Sequence, residues 1–314
     1  MTMKTKTGTQ RILLVATILL LLSACVKDPY EDVISNERSI EAVTLGGGLT
    51  QVGPAIVDRQ AGKVSVQVLV DEHTDLSSVT PILQASYRAS TIPASGVPIN
   101  FASNDNQYTY VVVAESGKTR EWTIELVPFT ESLPGTYTIT GQVVYGGTGP
   151  EYGGGAVMNL TDKPWVWPET GGPVAELDNT LVFEFTGVTP EGHTYGTVMN
   201  NAGTDGLYAD YQFIMDPTTD VNNFYRKIPK GEGTWERDYT AQTITFTFPD
   251  GTTTTGTFAD AQTISLGNGL SKTITDQAFE FTLNGTDDWG NIYSDYDKFV
   301  KRPRRFWIDV TRQE

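Results

Sequence analysis

The feature that most restricts what this chain can fold into is an alternation of apolar and polar residues with a period of two. It is repeated in short runs and cut by Gly, Asn, Asp and Pro. A period of two marks a strand with one face turned to a core, whereas a helix needs a period near 3.6. Lys63-Val64-Ser65-Val66-Gln67-Val68-Leu69-Val70 puts Val64, Val66 and Val68 on one face. In the run 119–127, Trp122, Ile124 and Leu126 share one face while Glu121, Thr123 and Glu125 share the other. The run 108–113 precedes it, and Glu115-Ser116-Gly117-Lys118 between them is the polar, glycine-containing connection of a hairpin. No long amphipathic helical pattern interrupts the series, so the expected fold class is all-β.

The runs fall into two units. Residues 128–134, Pro128-Phe129-Thr130-Glu131-Ser132-Leu133-Pro134, carry two prolines that cannot donate to a sheet ladder, and read as a short semi-rigid linker. Residues 34–127 hold short strands without a disulfide framework, which suits an immunoglobulin-like sandwich. Residues 135–314 offer strand candidates at 136–145, 181–185, 208–214, 243–248, 254–266, 278–283 and 306–310. The junction Phe248-Pro249-Asp250-Gly251-Thr252 is a clear turn. Such a series fits a jelly-roll-like antiparallel β-sandwich, with a lipocalin-like β-barrel as the alternative. Gly135-Thr136-Tyr137 is similar to the opening of lipocalin-like domains but is too common a tripeptide to decide between them.

The chain begins with a different kind of segment. Lys4, Lys6 and Arg11 precede the apolar run 12–22, and Ser23-Ala24 lead to Cys25, the only cysteine. A basic start, a short apolar stretch and small residues describe a signal peptide over residues 1–24, too short to span a bilayer as a helix. Leu22-Ser23-Ala24-Cys25 resembles the lipobox of bacterial lipoproteins, and the resemblance implies cleavage before Cys25 and lipidation of its sulfur. Two or more acyl chains give stable membrane attachment, so the expected protein is lipid-anchored. Residues 25–33 then form a tether, in which Lys27, Asp28, Glu31 and Asp32 resemble the export signal of Bacteroidota surface lipoproteins. The location implied is the outer membrane, facing outward, with the periplasmic face as the alternative.

The first unit resembles the N-terminal immunoglobulin-like domains of Bacteroidota surface lipoproteins. The residues concerned are Ile82-Leu83-Gln84-Ala85-Ser86, Ile92-Pro93-Ala94-Ser95-Gly96, the Tyr108 strand and the hairpin closing at Trp122. In that setting the module acts as a spacer between the anchor and a working domain.

Charge and composition remove several function classes. The full chain carries a formal charge of −16. Without the basic signal segment it is more acidic still, and repels nucleic acid and anionic lipid headgroups. With Cys25 lipidated no thiol remains for a disulfide or a cysteine metal site. His73 and His193, the only histidines, fall in different units, so histidine-based triads and zinc centres lack parts. The runs 200–206 and 287–297 hold oxygen ligands that calcium favours, but without the spacing of an EF-hand loop; they read as turns. No cofactor, metal or catalytic residue is expected, although two carboxylates suffice for a glycosidase and acidic residues abound.

Aromatic residues carry the functional expectation. Five of six tryptophans and ten of fourteen tyrosines lie in the second unit. Several sit in loops: Tyr152 in the glycine-rich 145–155, Trp165 and Trp167 between prolines, and Trp289 and Tyr293 beside Asp288 and Asn291. A sugar ring offers an apolar C–H face and a hydroxyl rim, so flat aromatics beside amides and carboxylates suit it. Large aromatics are equally at home in a core. Trp235 and Trp307, in alternating strands, are assigned to the core. The basic cluster 298–305 reads as a solvated turn balancing nearby aspartates. The expected function is non-catalytic binding of an extracellular glycan, as accessory to an outer-membrane transporter complex. A structural or protein-interaction lipoprotein with no sugar ligand is the alternative, and a glycan-active enzyme is the third.

Overall fold

The computed structural model describes residues 33–71 and 73–313. The signal peptide, Cys25 and most of the tether lie outside the described residues. Almost all regular structure is β, and among the described residues no helix is long and apolar enough to cross a membrane.

The first unit has seven strands: β1 (Ile40–Gly46), β2 (Ile56–Asp58), β3 (Lys63–Leu69), β4 (Thr80–Ala85), β5 (Ser90–Ile92), β6 (Gln107–Val113) and β7 (Thr119–Phe129). They form two sheets, β1-β4 and β2-β3-β7-β6-β5, antiparallel except for the β3–β7 pair. The alternation read from sequence sets the core between them. Val64, Val66, Val68, Trp122, Ile124 and Leu126 are buried against Ile40 and Val43 of the smaller sheet. The Trp122 indole N–H donates to the Arg38 carbonyl at 3.0 Å, so the largest core side chain leaves no buried donor unpaired. Strand β7 runs through Pro128 to Phe129, two residues into the segment read as linker. There only β3 flanks it, because the β6 pairing ends at Glu125, and a missing N–H on the free side costs nothing.

The second unit is a closed barrel, and the jelly-roll-like sandwich expected from sequence is thereby corrected. Its staves are β8 (Gly135–Gly146), β10 (Thr180–Val188), β11 (Thr194–Asn201), β14 (Gly231–Asp238), β15 (Thr243–Thr247), β16 (Thr253–Gly267), β17 (Leu270–Thr282) and β18 (Pro303–Arg312). Each pairs antiparallel with the next, and the ring shuts where β8 pairs with both β10 and β18. The barrel was the alternative reading. Closure joins the first and last strands of the unit, a long-range pairing that no local pattern announces, and it removes the open edges a sandwich would carry. A short strand β9 (Ala156–Asn159) lines the second half of β8. The segment 208–214, read as a strand, is mostly irregular: only β12 (Gln212–Phe213) forms, paired with β13 (Thr219–Asp220), before a single helical turn α1 (Asn222–Tyr225).

The barrel is filled with rings. Phe183 stacks on Phe279 at 5.5 Å, and Trp235, Phe246, Phe281 and Tyr137 are buried around them. The interior is therefore packed core. A second, smaller cluster lies elsewhere: Val143, Tyr145, Ile274, Ala278 and Trp307, with Leu270 against them. Pairing of β16 with β17 slips between Asp260 and Gln262, the signature of a bulge that bends a hairpin. Residues 264–274 of that hairpin reach this cluster, and Lys272 Nζ meets Asp309 at 2.6 Å on β18.

The two units meet at one mouth of the barrel. Phe129 packs edge-on against Tyr239 at 5.1 Å, and the Gly53 N–H donates to the Gly192 carbonyl at 2.9 Å. Between them Glu131 is buried: it accepts from the Tyr239 hydroxyl at 2.8 Å, from Arg237 at 3.1 Å, from the Leu133 N–H at 3.0 Å and from the Thr194 hydroxyl. Leu133 inserts fully into the barrel core. A linker so anchored is a rigid joint.

Candidate functional site at the far mouth of the barrel

Strand β8 leaves the joint at Gly135 and ends at Gly146, so the loops that follow it open at the opposite mouth. Besides the tight turn 248–252, three long connections gather there: 147–179, 202–230 and 283–302. Their apolar residues Leu160, Val166, Trp167, Tyr211, Phe213, Tyr225 and Phe299 turn inward and join the barrel core. Beneath the loops lies a buried ion pair, Glu176 with Arg226 at 2.7 Å. Glu176 also accepts from the Ala209 N–H at 2.8 Å and the Asn179 amide at 3.1 Å, which offsets the desolvation of the charge. The Tyr211 hydroxyl donates to Gln142 of β8 at 3.0 Å, and burial raises its pKa far beyond the ordinary tyrosine range. These loops are fixed to the barrel by buried polar contacts.

Close packing accounts for most of the glycines of the loop 145–155. A Cβ on Gly146 would sit 2.1 Å from the Lys298 carbonyl oxygen, and one on Gly154 would sit 2.0 Å from that of Thr148. Close backbone approach demands glycine here. The buried Asp297 carboxylate then joins this loop to the next. It accepts from the Thr148 N–H at 2.6 Å and hydroxyl at 2.8 Å, while that hydroxyl accepts from the Asp288 N–H at 2.7 Å. One carboxylate orders both loops.

Aromatic rings stand on this frame. Tyr152 and Trp289 pack edge to face at 6.1 Å, yet are 65% and 59% exposed. Tyr293, 71% exposed, donates its hydroxyl to the Tyr152 carbonyl at 3.3 Å. The Asn291 amide donates to Asp288 at 3.0 Å beside them. Sequence reading named all five of these residues without linking Tyr152 to the others, and the fold brings them into one patch. Trp165, 56% exposed, lies alongside: Lys163 sits 5.2 Å over its ring and 3.2 Å from Asp295. Trp167 is corrected to core. It is 2% exposed, its indole N–H donates to the Leu160 carbonyl at 2.8 Å, and its ring packs edge-on to Phe299 at 5.4 Å. Trp235 and Trp307 are also buried.

The charged groups nearby are largely committed. Arg302 pairs with Asp287 at 2.8 Å, Arg304 Nη2 lies 3.6 Å from the same carboxylate, and Arg305 pairs with Glu280. Lys298 donates to the Ser294 carbonyl at 3.1 Å, with its pKa lowered by burial. Apart from Lys301, which is exposed and lies 5.7 Å over the Tyr296 ring, the basic cluster serves internal pairing. In the 200–206 run, the Thr204 N–H and hydroxyl and the Asp205 N–H are spent on Asp178. Among the described residues no group of three His, Cys, Asp or Glu side chains is placed to hold a metal ion. Sequence reading missed the apolar residues Val174, Leu207 and Ile214, which line a groove beside Trp165: the first two are isolated apolar residues in loops, and Ile214 was read only as the end of a strand.

Comparison with known proteins bears on the first unit. Residues 42–126 match the family model described as SGBP, N-terminal, the N-terminal module of surface glycan-binding proteins. The match covers just over a quarter of the chain and none of the barrel. No curated protein matches the chain. Among solved structures, a candidate secreted protein of Bacteroides fragilis is 16% identical over 30% of this chain and 97% of its own, at a TM-score of 0.24. A candidate glycoside hydrolase of Bacteroides thetaiotaomicron is 12% identical over 90% of this chain and 85% of its own, at 0.28. A DUF4623 family protein of Bacteroides eggerthii is 9% identical over 80% and 67%, at 0.23. Scores this low carry no argument about shape or activity.

Proposed function

We propose that this chain is a cell-surface lipoprotein that binds extracellular glycan without cleaving it, at the far mouth of its barrel, as accessory to an outer-membrane uptake system. The observation that carries this reading is the patch of Tyr152, Trp289 and Tyr293, three rings left in solvent on a rigidly braced frame. Exposed aromatics fixed by packing lose little conformational freedom on binding, which favours recognition of a flat apolar face. Asp288 and Asn291 supply acceptors and donors for the hydroxyl rim. The match of residues 42–126 to the surface glycan-binding module supports the substrate class and the surface location. Cys25 supplies the proposed anchor. The described chain enters the first unit at Ser35, whose N–H donates to Glu115 at the β6–β7 turn, while β7 runs away from that turn to the linker. Ser35 and the aromatic patch therefore lie at opposite ends of the path through the molecule.

The test is binding to an array of bacterial, plant and host polysaccharides by residues 33–314, beside the double variant Trp289→Ala/Tyr293→Ala. The wild type should bind at least one polysaccharide without releasing reducing ends. The variant should lose about tenfold or more in affinity, the scale of truncating a central aromatic anchor, with unchanged melting temperature. Retained affinity in the variant would remove the patch from the site, and release of reducing ends would replace binding with catalysis.

A further inference from the structure

We infer that the groove beside Trp165 is a second sugar subsite, and that one neutral glycan chain spans it and the Tyr152–Trp289–Tyr293 patch. The inference rests on reading the far mouth as a glycan-binding face, and adds to it the charge and the minimum length of the ligand. The groove encloses about 590 Å³, within the range of small-ligand sites. Trp165, Val174, Leu207 and Ile214 give it apolar walls, and Glu169 and Asp205 supply carboxylates. That is the same pairing of a flat ring with acceptors found in the patch. The groove is also braced: the Ile214 N–H donates to the Val166 carbonyl at 2.9 Å, and the buried Trp167 lies among its lining residues.

Lys163 links the two regions. Its ammonium lies over the Trp165 ring on one side and pairs with Asp295 on the other, two residues from Tyr293. The groove and the patch are thus neighbours on one surface. A chain already held at the patch presents its next residues to the groove at high effective concentration, so affinity should climb with chain length until both are filled.

Charge selects the ligand further. Lys163, Arg302 and Arg304 face Asp295 or Asp287, and Lys298 is turned to a backbone carbonyl. Glu151, Glu169 and Asp205 stand exposed around the rings. A polyuronate or sulfated glycan would meet these carboxylates with few free cations to offset them, so neutral sugars fit.

The probes are gluco-, xylo- and manno-oligosaccharide ladders from disaccharide to octasaccharide, with polygalacturonate as the anionic comparison, titrated into residues 33–314. Affinity should rise beyond the trisaccharide in one neutral ladder, with polygalacturonate not bound. Trp165→Ala should cost about tenfold with the long members and little with the short ones. Val174→Glu, at a position 63% exposed on the groove wall, narrows the groove with Trp165 left in place and should act the same way. Unchanged long-chain affinity in both variants, or an affinity that plateaus at the disaccharide, would overturn the second subsite while the patch reading stands. Preference for polygalacturonate would overturn the charge argument. If Trp289→Ala/Tyr293→Ala has no effect on any ladder, or no ladder binds, both readings fall.

Discussion

The two mouths of the barrel use aromatic side chains in opposite ways. At the joint, Tyr239 is half-buried and committed: Phe129 packs edge-on against its ring, Arg237 lies 4.6 Å over it, and its hydroxyl is consumed by the buried Glu131. Burial accordingly raises its pKa above the ordinary tyrosine range. At the far mouth, Tyr293 makes one hydrogen bond to a carbonyl and shows its ring to water. The difference is one of support. Each mouth has a buried carboxylate holding two segments together, Glu131 at the joint and Asp297 at the tip. At the joint the carboxylate takes the tyrosine hydroxyl itself; at the tip it takes only backbone and threonine groups, so the rings remain free for something else.

That contrast can be broken at three places. The largest effect is expected at Glu131→Ala. It leaves Arg237, the Thr194 hydroxyl and the Tyr239 hydroxyl without their shared partner, and loss of one side of a buried pair costs roughly 3–5 kcal/mol. Denaturant unfolding should show that loss, and small-angle scattering should show the two units no longer fixed to each other. A loss under about 1 kcal/mol would mean that the joint is held by Leu133 and Phe129 alone. Asp297→Asn comes next. Its amide keeps only one oxygen, so either the Thr148 N–H or the Thr148 hydroxyl loses its acceptor, for roughly 1–3 kcal/mol. Its sharper readout is the tryptophan emission that acrylamide can quench, which Trp289 alone supplies once Trp165 is replaced by Phe, because Trp122, Trp167, Trp235 and Trp307 are buried: unchanged quenching would show that the two loops keep their places without the carboxylate. The smallest effects form a matched pair. Tyr239→Phe should cost about 1.5 kcal/mol, and Tyr293→Phe should stay within about 0.5 kcal/mol. Equal values from calorimetry would erase the distinction between a committed and a displayed ring.

How far the sequence revealed this depended on the range of the interaction. Where burial alternates with period two, as at Val64, Val66 and Val68 or Trp122, Ile124 and Leu126, strand and core are visible directly. Strand β11 was missed because its inward positions are Thr194, Gly196, Val198 and Asn200, of which only Val198 signals a core. Polar residues point inward there because partners await them: Thr194 reaches Glu131, and the Asn200 amide donates to the Pro229 carbonyl at 3.1 Å. Gly196 is small because a Cβ would strike the Glu184 carbonyl oxygen at 1.8 Å.

The two tryptophans between prolines show the same limit at closer range. Trp165 and Trp167 lie two residues apart in nearly identical local sequence, yet one is displayed and the other buried. The 3-10 turn at Pro164–Val166 reverses the chain, and the Leu160 carbonyl captures the second indole. Neither cause can be read from composition. The aromatic loops were legible as chemistry, since Trp289, Tyr293, Asp288 and Asn291 are close in sequence. Tyr152 comes from a distant loop and meets them only in the fold, where the Thr148–Asp297 bond spans 149 positions.

The closing pair of the barrel also sets an order of events. Strand β18 is the last stave of the barrel and pairs with the first, β8, so every earlier stave can form hairpins with its neighbour while the ring stays open. Contacts this distant in sequence are slow to form, because the entropy of closing the loop is lost before any pairing compensates it. Until residues 303–312 arrive, β8 and β17 each present an unpaired edge to whatever is nearby. A chain threaded through a membrane from its N-terminus would travel with those edges bare, and the ten-residue β18 alone converts it from a species prone to sticking into a sealed one.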